Sequence, residues 1–67
     1  MLGYPKFNYH EEVEFKINDE KLVGVIEIID AYGTFFQQEE VSYDIYVKSN
    51  NTLYKHIKES EVEKHNG

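Results

Sequence analysis

Residues 22–32, LVGVIEIIDAY, are apolar at nearly every position and give the strongest indication of the fold. So continuous a run is not typical of an edge strand. Gly24 lies near its start, at a point where a bend or the close approach of another backbone segment would need a residue without a side chain. We therefore expect one long, curved β-strand near the middle of the chain.

The segments before and after this run alternate between apolar and polar residues, which is the pattern of a strand with one buried face. The alternation covers residues 13–17 (VEFKI) and residues 41–47 (VSYDIYV), and NDEK, residues 18–21, reads as the turn after the first of them. The predicted inner faces consist of Val13, Phe15 and Ile17 in the first segment and of Val41, Tyr43, Ile45 and Val47 in the second.

A hairpin follows, with SNNT (49–52) as its turn and LYKHI as its second strand, because Asn tolerates a positive φ. A three-residue loop would pair Val47 with Leu53, and a two-residue loop would pair Val47 with Tyr54. We favour the three-residue loop, because it buries Leu53 and Ile57. In that register Tyr43 pairs with Ile57, and the exposed side chains are Tyr46, Tyr54 and the opposed Asp44 and His56.

Short strands separated by frequent turns, with one long bent strand, predict an all-β fold. At this length the natural closed form is a small barrel of about five strands, because closure hides the sheet edges. Ser60 is a candidate cap for a short 3₁₀ or helical turn near the C-terminus, and Val62 is the apolar anchor there. We expect an N-terminal arm at 1–10, the barrel at 11–63 and a flexible tail at 64–67.

The order VEFKI, VGVIEIIDAYGTFF, YDIYV and LYKHIKESEV resembles the SH3-like small barrels of the KOW and Tudor kind. In those families a G-x-I strand follows the first hairpin, a YDV-like strand comes third, and a short 3₁₀ turn precedes the closing strand. Over residues 8–63 the chain also resembles short uncharacterised proteins of Gram-positive bacteria and their phages. The resemblance implies an SH3-like architecture and no catalytic residue. The basic loop that contacts RNA in many KOW modules has no counterpart here.

Composition narrows the classes of function. The chain has 67 residues, no cysteine, and thirteen acidic residues against seven lysines, for a net charge of −6. This balance argues against nucleic-acid binding, which needs a basic surface. No apolar run approaches the roughly 20 residues of a membrane span, and the N-terminus lacks the pattern of a signal peptide. We therefore expect a soluble, cytoplasmic protein that does not bind membranes.

The polar residues form no recognisable catalytic or metal-binding pattern. The three histidines lack ligand spacing, and the serines lie in no nucleophile elbow. The pairs Glu11 with Glu12 and Glu39 with Glu40 match no calcium-binding loop, so we interpret them as solvated carboxylates. The sequence therefore predicts no enzyme activity, no metal and no cofactor.

The segment GTFFQQEE, residues 33–40, places Phe35 beside Phe36 between a glycine and a polar, acidic run. Neighbouring side chains on an extended backbone point in opposite directions, and the end of a barrel readily takes only one of them. Either phenylalanine could be the buried one. We favour Phe35 as a plug of the core and Phe36 as a contact with a partner.

Three tyrosines face outward or lie at a strand end in the favoured register, and tyrosine is a common interface anchor. A cross-strand pair of Tyr46 with Tyr54 that only steadies the sheet is an equally good interpretation. Aromatic rings among carboxylates would suit a basic or cationic partner. The predicted partner-binding residues are Phe36, Tyr32, Tyr46, Tyr54, Phe35, Asp44, Glu39 and Glu40.

Two functions fit these features. The first is a non-enzymatic protein-binding module with an acidic, aromatic surface. The alternative is a phage or prophage inhibitor that binds and blocks a host enzyme or defence protein. A symmetric homodimer is compatible with both, since a small domain with spare aromatic surface can self-associate.

Overall fold

The computed structural model describes residues 2–33 and 38–65, and these form an all-β fold. Five antiparallel strands make one sheet in the order β4-β3-β2-β1-β5. The strands are β1 (Glu12–Ile17), β2 (Glu20–Asp30), β3 (Ser42–Val47), β4 (Thr52–Lys58) and β5 (Val62–Lys64). A first 3₁₀ turn (Lys48–Asn50) lies between β3 and β4, and a second (Glu59–Glu61) lies between β4 and β5. The predicted class, strand number and 3₁₀ turn before the last strand are confirmed, and the relationship to KOW and Tudor barrels stays a prediction.

The β1–β2 hairpin closes through a two-residue turn. Ile17 pairs with Glu20, and between them Asn18 and Asp19 have φ values of 50° and 67°. Two successive residues in the left-handed region make a type I′ turn, whose twist matches that of the flanking strands. The turn expected at NDEK is therefore present at Asn18 and Asp19, whereas Glu20 and Lys21 already belong to β2.

The long strand β2 contains a bulge. Ile26 pairs with Ile45 and Ile28 pairs with Asp44, so Glu27 is an extra residue on the β2 side. Before the bulge Ile26 faces the core, and after it Ile29 does, because the extra residue reverses the alternation. The reversal explains why the core side continues at Ile29 and Ala31, whereas Val23, Val25 and Ile28 are apolar residues of the opposite face.

Gly24 is buried where β3 passes closest to β2. A Cβ atom at this position would lie 2.6 Å from Ile45 Cγ2 and 2.6 Å from the carbonyl oxygen of Tyr46. The close approach predicted for Gly24 is therefore present, whereas the irregularity that bends the strand lies at Glu27.

The register predicted for the β3–β4 hairpin is wrong beside the turn. The loop has four residues, since Val47 pairs with Thr52 rather than with Leu53. Asn51, with φ 54°, ends the first 3₁₀ turn in the left-handed region and adds the residue that the prediction missed. As a result Leu53 faces outward and Tyr54 packs on the core.

A second bulge restores the predicted register further along the same hairpin. Tyr43 pairs with Ile57, as expected, because two residues of β4 oppose Asp44. His56 is one of them and has a φ of 59°. The bulge therefore returns Ile57 to the core side, where it is buried.

The core lies between the inner faces of the strands. Phe7, Ile17, Leu22, Ile29 and Tyr54 pack at its margin, and its buried apolar residues are Val13, Phe15, Ile26, Ala31, Val41, Tyr43, Ile45, Val47, Ile57 and Val62. No helix within the described residues is long and apolar enough to cross a membrane.

The N-terminal segment packs on this core. The backbone N–H of Leu2 donates to the carbonyl oxygen of Ala31 at 2.6 Å, and the Phe7 ring meets the Tyr43 ring edge-on at 5.7 Å. The Tyr43 hydroxyl donates to Glu59 at 2.6 Å and accepts the backbone N–H of Lys6 at 3.2 Å. These contacts join the N-terminal segment, β3 and the second 3₁₀ turn.

The chain remains paired beyond the barrel boundary predicted at residue 63. β5 includes Lys64, and the backbone N–H of His65 donates to the carbonyl oxygen of Glu12 at 3.4 Å. His65 Nδ1 also lies 2.9 Å from Glu14 Oε2. Residues 64 and 65 therefore extend the edge of the sheet along β1.

Candidate protein-binding surface

An apolar row crosses the outside of β2, β3 and β4. Val25 pairs with Tyr46, and Tyr46 pairs with Leu53, so the three side chains lie next to one another on one face of the sheet. Val25 and Tyr46 are half-buried, and Leu53 is 39% exposed. This face is opposite to the one that carries the core residue Ile45.

The surface continues along β2. Val23 precedes Val25 by two residues and shares its face, and Ile28 lies on the same side opposite Asp44. Ile28 is 49% exposed. We call this surface the outer face, and its residues are Val23, Val25, Ile28, Asp44, Tyr46 and Leu53.

The β2 bulge is the reason why Ile28 is on the surface. In a regular strand Ile28 would face the core together with Ile26, but the extra residue Glu27 turns it outward. The exposed half of the Ile28 side chain does not contribute to the core. Ile28 adds to the apolar surface that Val23, Val25 and Leu53 share on this face, and shared apolar patches, rather than single exposed residues, mark contact surfaces.

Asp44 lies beside the apolar residues and is held in place by β4. Its Oδ1 atom accepts the backbone N–H of His56 at 3.1 Å. The left-handed conformation of His56 belongs to the bulge that faces Asp44. Asp44 and His56 therefore lie opposite each other as predicted, and the hydrogen bond that joins them is made by the His56 backbone N–H.

The predicted cross-strand pair of Tyr46 with Tyr54 is wrong. The four-residue loop pairs Tyr54 with Ile45, so the two tyrosines lie on opposite faces. Tyr46 is on the outer face, and its hydroxyl donates to the side chain of Asn51. Tyr54 packs edge-on against Phe15, with ring centroids 5.4 Å apart, and accepts a hydrogen bond from the Asn50 side chain at 2.8 Å.

The other predicted binding residues within the described part of the chain are Tyr32, Glu39 and Glu40, which lie near the end of the sheet where β2 ends and β3 begins. Tyr32 is 78% exposed. Its backbone N–H and that of Gly33 both donate to Asp30 Oδ1, at 2.9 and 3.0 Å, so the carboxylate fixes the turn. Gly33 has a φ of 94°, which favours glycine at this position.

The two glutamates have partners near the second 3₁₀ turn. Glu39 lies 3.6 Å from the Lys58 ammonium, and Glu40 accepts the backbone N–H of Ser60 at 2.7 Å. The structure therefore places Asp44 and Tyr46 together on the outer face and places Glu39 and Glu40 apart from Tyr46. Phe35 and Phe36 lie outside the described residues, and their roles stay predictions.

Sequence reasoning missed four apolar members of the outer face: Val23, Val25, Ile28 and Leu53. Ile28 and Ile29 are adjacent in a strand, as a bulge allows, but Leu22 with Val23 and Val25 with Ile26 are adjacent apolar residues too, without a bulge, so adjacency alone does not identify Ile28. Leu53 carried no signal either, because its direction depends on the length of the hairpin loop.

A groove of about 420 Å³ lies between the β1–β2 hairpin and the C-terminal elements. Two of the charged residues that line it are paired with each other, since the Lys21 ammonium lies 2.7 Å from Glu14. The hydrogen bond with His65, followed by that with Lys21, lowers the pKa of Glu14 below its usual range. Tyr43 lies in the core and not in this groove, and its pKa is above its usual range because of its burial and then of its hydrogen bond with Glu59. These groups hold the fold together, and the outer face is the better candidate for binding.

The metal-ligating side chains of the described residues do not cluster into a metal site. Within residues 2–33 and 38–65, no group of three or more His, Cys, Asp or Glu side chains is placed to hold a metal ion. Comparisons of the chain with protein families, with curated proteins and with solved structures found no match. The outer face is therefore identified by its geometry alone.

Proposed function

We propose that this chain is a non-enzymatic protein-binding module and that its outer face contacts the partner. The observation that carries the proposal is the cluster of apolar side chains across β2, β3 and β4, with Ile28 turned outward by a bulge. The charge of −6 supports a basic partner, because complementary charge favours encounter and orientation.

The edges of the sheet are less suited to binding than this face. Partners that add a strand need a long, regular edge, and short or bulged edges discourage such pairing. β5 has three residues, and β4 is interrupted by the bulge at His56. A partner therefore docks on the side chains of the outer face and does not extend the sheet.

The apolar residues contribute part of the binding energy. Removing the exposed portions of Val23, Ile28 and Leu53 from water contributes on the order of 2–4 kcal/mol in total. Micromolar binding requires about 8 kcal/mol, so polar and charged contacts around the apolar residues supply the rest.

Site-specific photo-cross-linking tests this proposal. A benzophenone amino acid at position 53 should cross-link a defined partner in a lysate of the source cells. The same probe at position 61, an exposed residue that lines the groove, is the matched control and should not. Ile28→Thr keeps a β-branched residue in β2 and should reduce the yield of the adduct at position 53 while leaving the melting temperature nearly unchanged.

The following results would contradict the proposed binding surface. Equal cross-linking from positions 53 and 61, or from position 61 alone, would exclude the outer face as the binding surface. An adduct that persists in Ile28→Thr at full yield would show that the apolar cluster is not what the partner contacts.

A further inference from the structure

We propose that the outer face selects a partner segment with one basic side chain, Lys or Arg, flanked by apolar residues, and that Asp44 receives the cation. This inference rests on the proposed function and adds the chemistry of the partner. The basic side chain lies over Asp44, and the apolar residues on either side of it contact Ile28, Tyr46 and Leu53.

The placement of Asp44 is the first argument. Asp44 is half-buried, pairs with Ile28 on β2, and is two residues from Tyr46 on the same face of β3. A cation that reaches its carboxylate therefore brings neighbouring side chains onto apolar surface. Arg and Lys suit this position, because their aliphatic stems pack on apolar groups while the charged end stays at the carboxylate.

The orientation of the carboxylate is the second argument. Oδ1 accepts the backbone N–H of His56, which holds the side chain in one direction before any partner arrives. Among residues 2–33 and 38–65, this is the one hydrogen bond that the structure gives to Asp44, so Oδ2 has no hydrogen-bond partner within those residues. Hydrogen bonds between charged groups are stronger than neutral ones, and an oriented acceptor loses less entropy on binding.

The surrounding charges are the third argument. In the described part of the chain, Lys21 pairs with Glu14 and Lys58 pairs with Glu39, and no ion pair involves Asp44. Lys55 lies in the bulge of β4 opposite Asp44 and makes no ion pair with it either, so the described residues leave this carboxylate without a salt bridge. A partner that buried the outer face without supplying a cation would leave a charge desolvated and unpaired, which is strongly unfavourable.

A second copy of this chain is disfavoured as the occupant of the outer face. A two-fold interface would bury one Asp44 carboxylate from each copy against a surface whose residues include no cation to pair with it. Each chain carries a net charge of −6, which adds repulsion between the copies. A basic partner avoids both costs.

Peptide libraries provide the test. Twelve-residue peptides carry Arg, Lys, Gln or Glu at a fixed central position, with flanks drawn from Leu, Val, Ile, Thr and Ser, and binding is measured by fluorescence anisotropy. Methyl shifts of Ile28 and Leu53 in NMR spectra report whether a peptide occupies the outer face. The proteins compared are the unmodified chain, Asp44→Asn and Asp19→Asn.

Asp44→Asn removes the charge but keeps an oxygen that can accept the His56 N–H, so the bulge is preserved. Asp19→Asn removes the same charge in the β1–β2 turn, where Asn also tolerates the left-handed φ of 67°. The unmodified chain and Asp19→Asn should bind Arg or Lys peptides about tenfold or more tightly than Gln peptides, and Glu peptides least. Asp44→Asn should bind Arg, Lys and Gln peptides within about threefold of one another.

Each other result overturns part of the argument. Peptides that bind the outer face without a basic preference, or with a preference that Asp44→Asn retains, overturn the role of Asp44 and leave the proposed function standing. Failure of every peptide to shift Ile28 and Leu53 overturns both proposals. Sedimentation that shows a dimer lost on Leu53→Ser, with no peptide binding, identifies a second copy as the occupant and also overturns the inference.

Discussion

Replacing Gly24 with alanine should destabilise the protein, although the same change usually stabilises a chain at a position that accommodates it. The new Cβ would lie 2.6 Å from the Tyr46 carbonyl oxygen and 2.6 Å from Ile45 Cγ2. Rotation can move the Ile45 methyl group, but the carbonyl oxygen belongs to the backbone of β3. The two central strands would therefore have to move apart at a point where both pair with further strands.

The expected size of the effect follows from the cost of overpacking. Forcing an additional methyl group into a filled core typically costs about 1–3 kcal/mol. A domain of this length has a total stability of roughly 3–10 kcal/mol, and each kcal/mol changes the melting temperature by about 4–8 °C. Gly24→Ala should therefore lower the melting temperature by roughly 5–20 °C. Gly24→Val should lower it further, because two additional methyl groups enter the same space.

Thermal unfolding followed by circular dichroism measures this change. Gly3→Ala is the matched control, since a Cβ at Gly3 would make an ordinary contact, 3.8 Å from Val41 Cγ2. That variant should melt within about 3 °C of the unmodified chain, or slightly above it. If Gly24→Ala melts as high as Gly3→Ala, β3 does not approach β2 as closely as the structure indicates, and the explanation of Gly24 fails.

Three further changes test local interactions. Tyr43→Phe removes a hydroxyl bonded to Glu59 and should cost about 1–3 kcal/mol in urea unfolding at neutral pH. Because the pKa of Tyr43 is raised in the folded state, the stability that its neutral hydroxyl contributes is present below pH ~10 and is lost as the pH rises further. The stability of Tyr43→Phe should therefore fall less steeply above pH ~10 than that of the unmodified chain, and an equally steep fall would contradict a raised pKa for Tyr43. Glu14→Gln should make the stability less sensitive to acid. The hydrogen bond with His65 lowers the pKa of Glu14, so the stability that this carboxylate contributes is present above the ordinary glutamate pKa and is lost as the pH falls. Between about pH 5 and 3 the urea midpoint should therefore drop less in this variant than in the unmodified chain, and an equal drop would count against the contact. Asn51→Ala and Asn51→Gly both remove the hydrogen bond to Tyr46, but of the two new residues only glycine suits the φ of 54°. In thermal unfolding the alanine variant should therefore be less stable than the glycine variant by about 1 kcal/mol. Equal stability of the two variants would exclude backbone strain at this position.

Local patterns were sufficient for the strands with one buried face. Val13 and Phe15 on β1 and the alternate residues of β3 are buried as their periodicity predicts, because every second side chain of a strand shares a face. The turn at Asn18 and Asp19 was also predictable, since these residues tolerate the left-handed region.

Predictions that depended on counting residues between paired positions were less successful. The hairpin loop has one residue more than expected, and Tyr54 and Leu53 consequently exchange faces. A shift of one residue moves every side chain to the other side of the sheet, so a small error in loop length changes which aromatic residue is on the surface. This is why Tyr46 was placed correctly on the outer face and Tyr54 was not.

Apolar periodicity and turn residues act locally, so the sequence alone predicts an all-β chain and its main core residues. Composition sets the net charge of −6. The row formed by Val25, Tyr46 and Leu53, and the position of Asp44 beside Ile28, can be read only from the tertiary structure. Those neighbours come from different strands, and their register depends on two bulges and one loop. The backbone can accommodate such extra residues only where the paired strand and the packed core hold them in place.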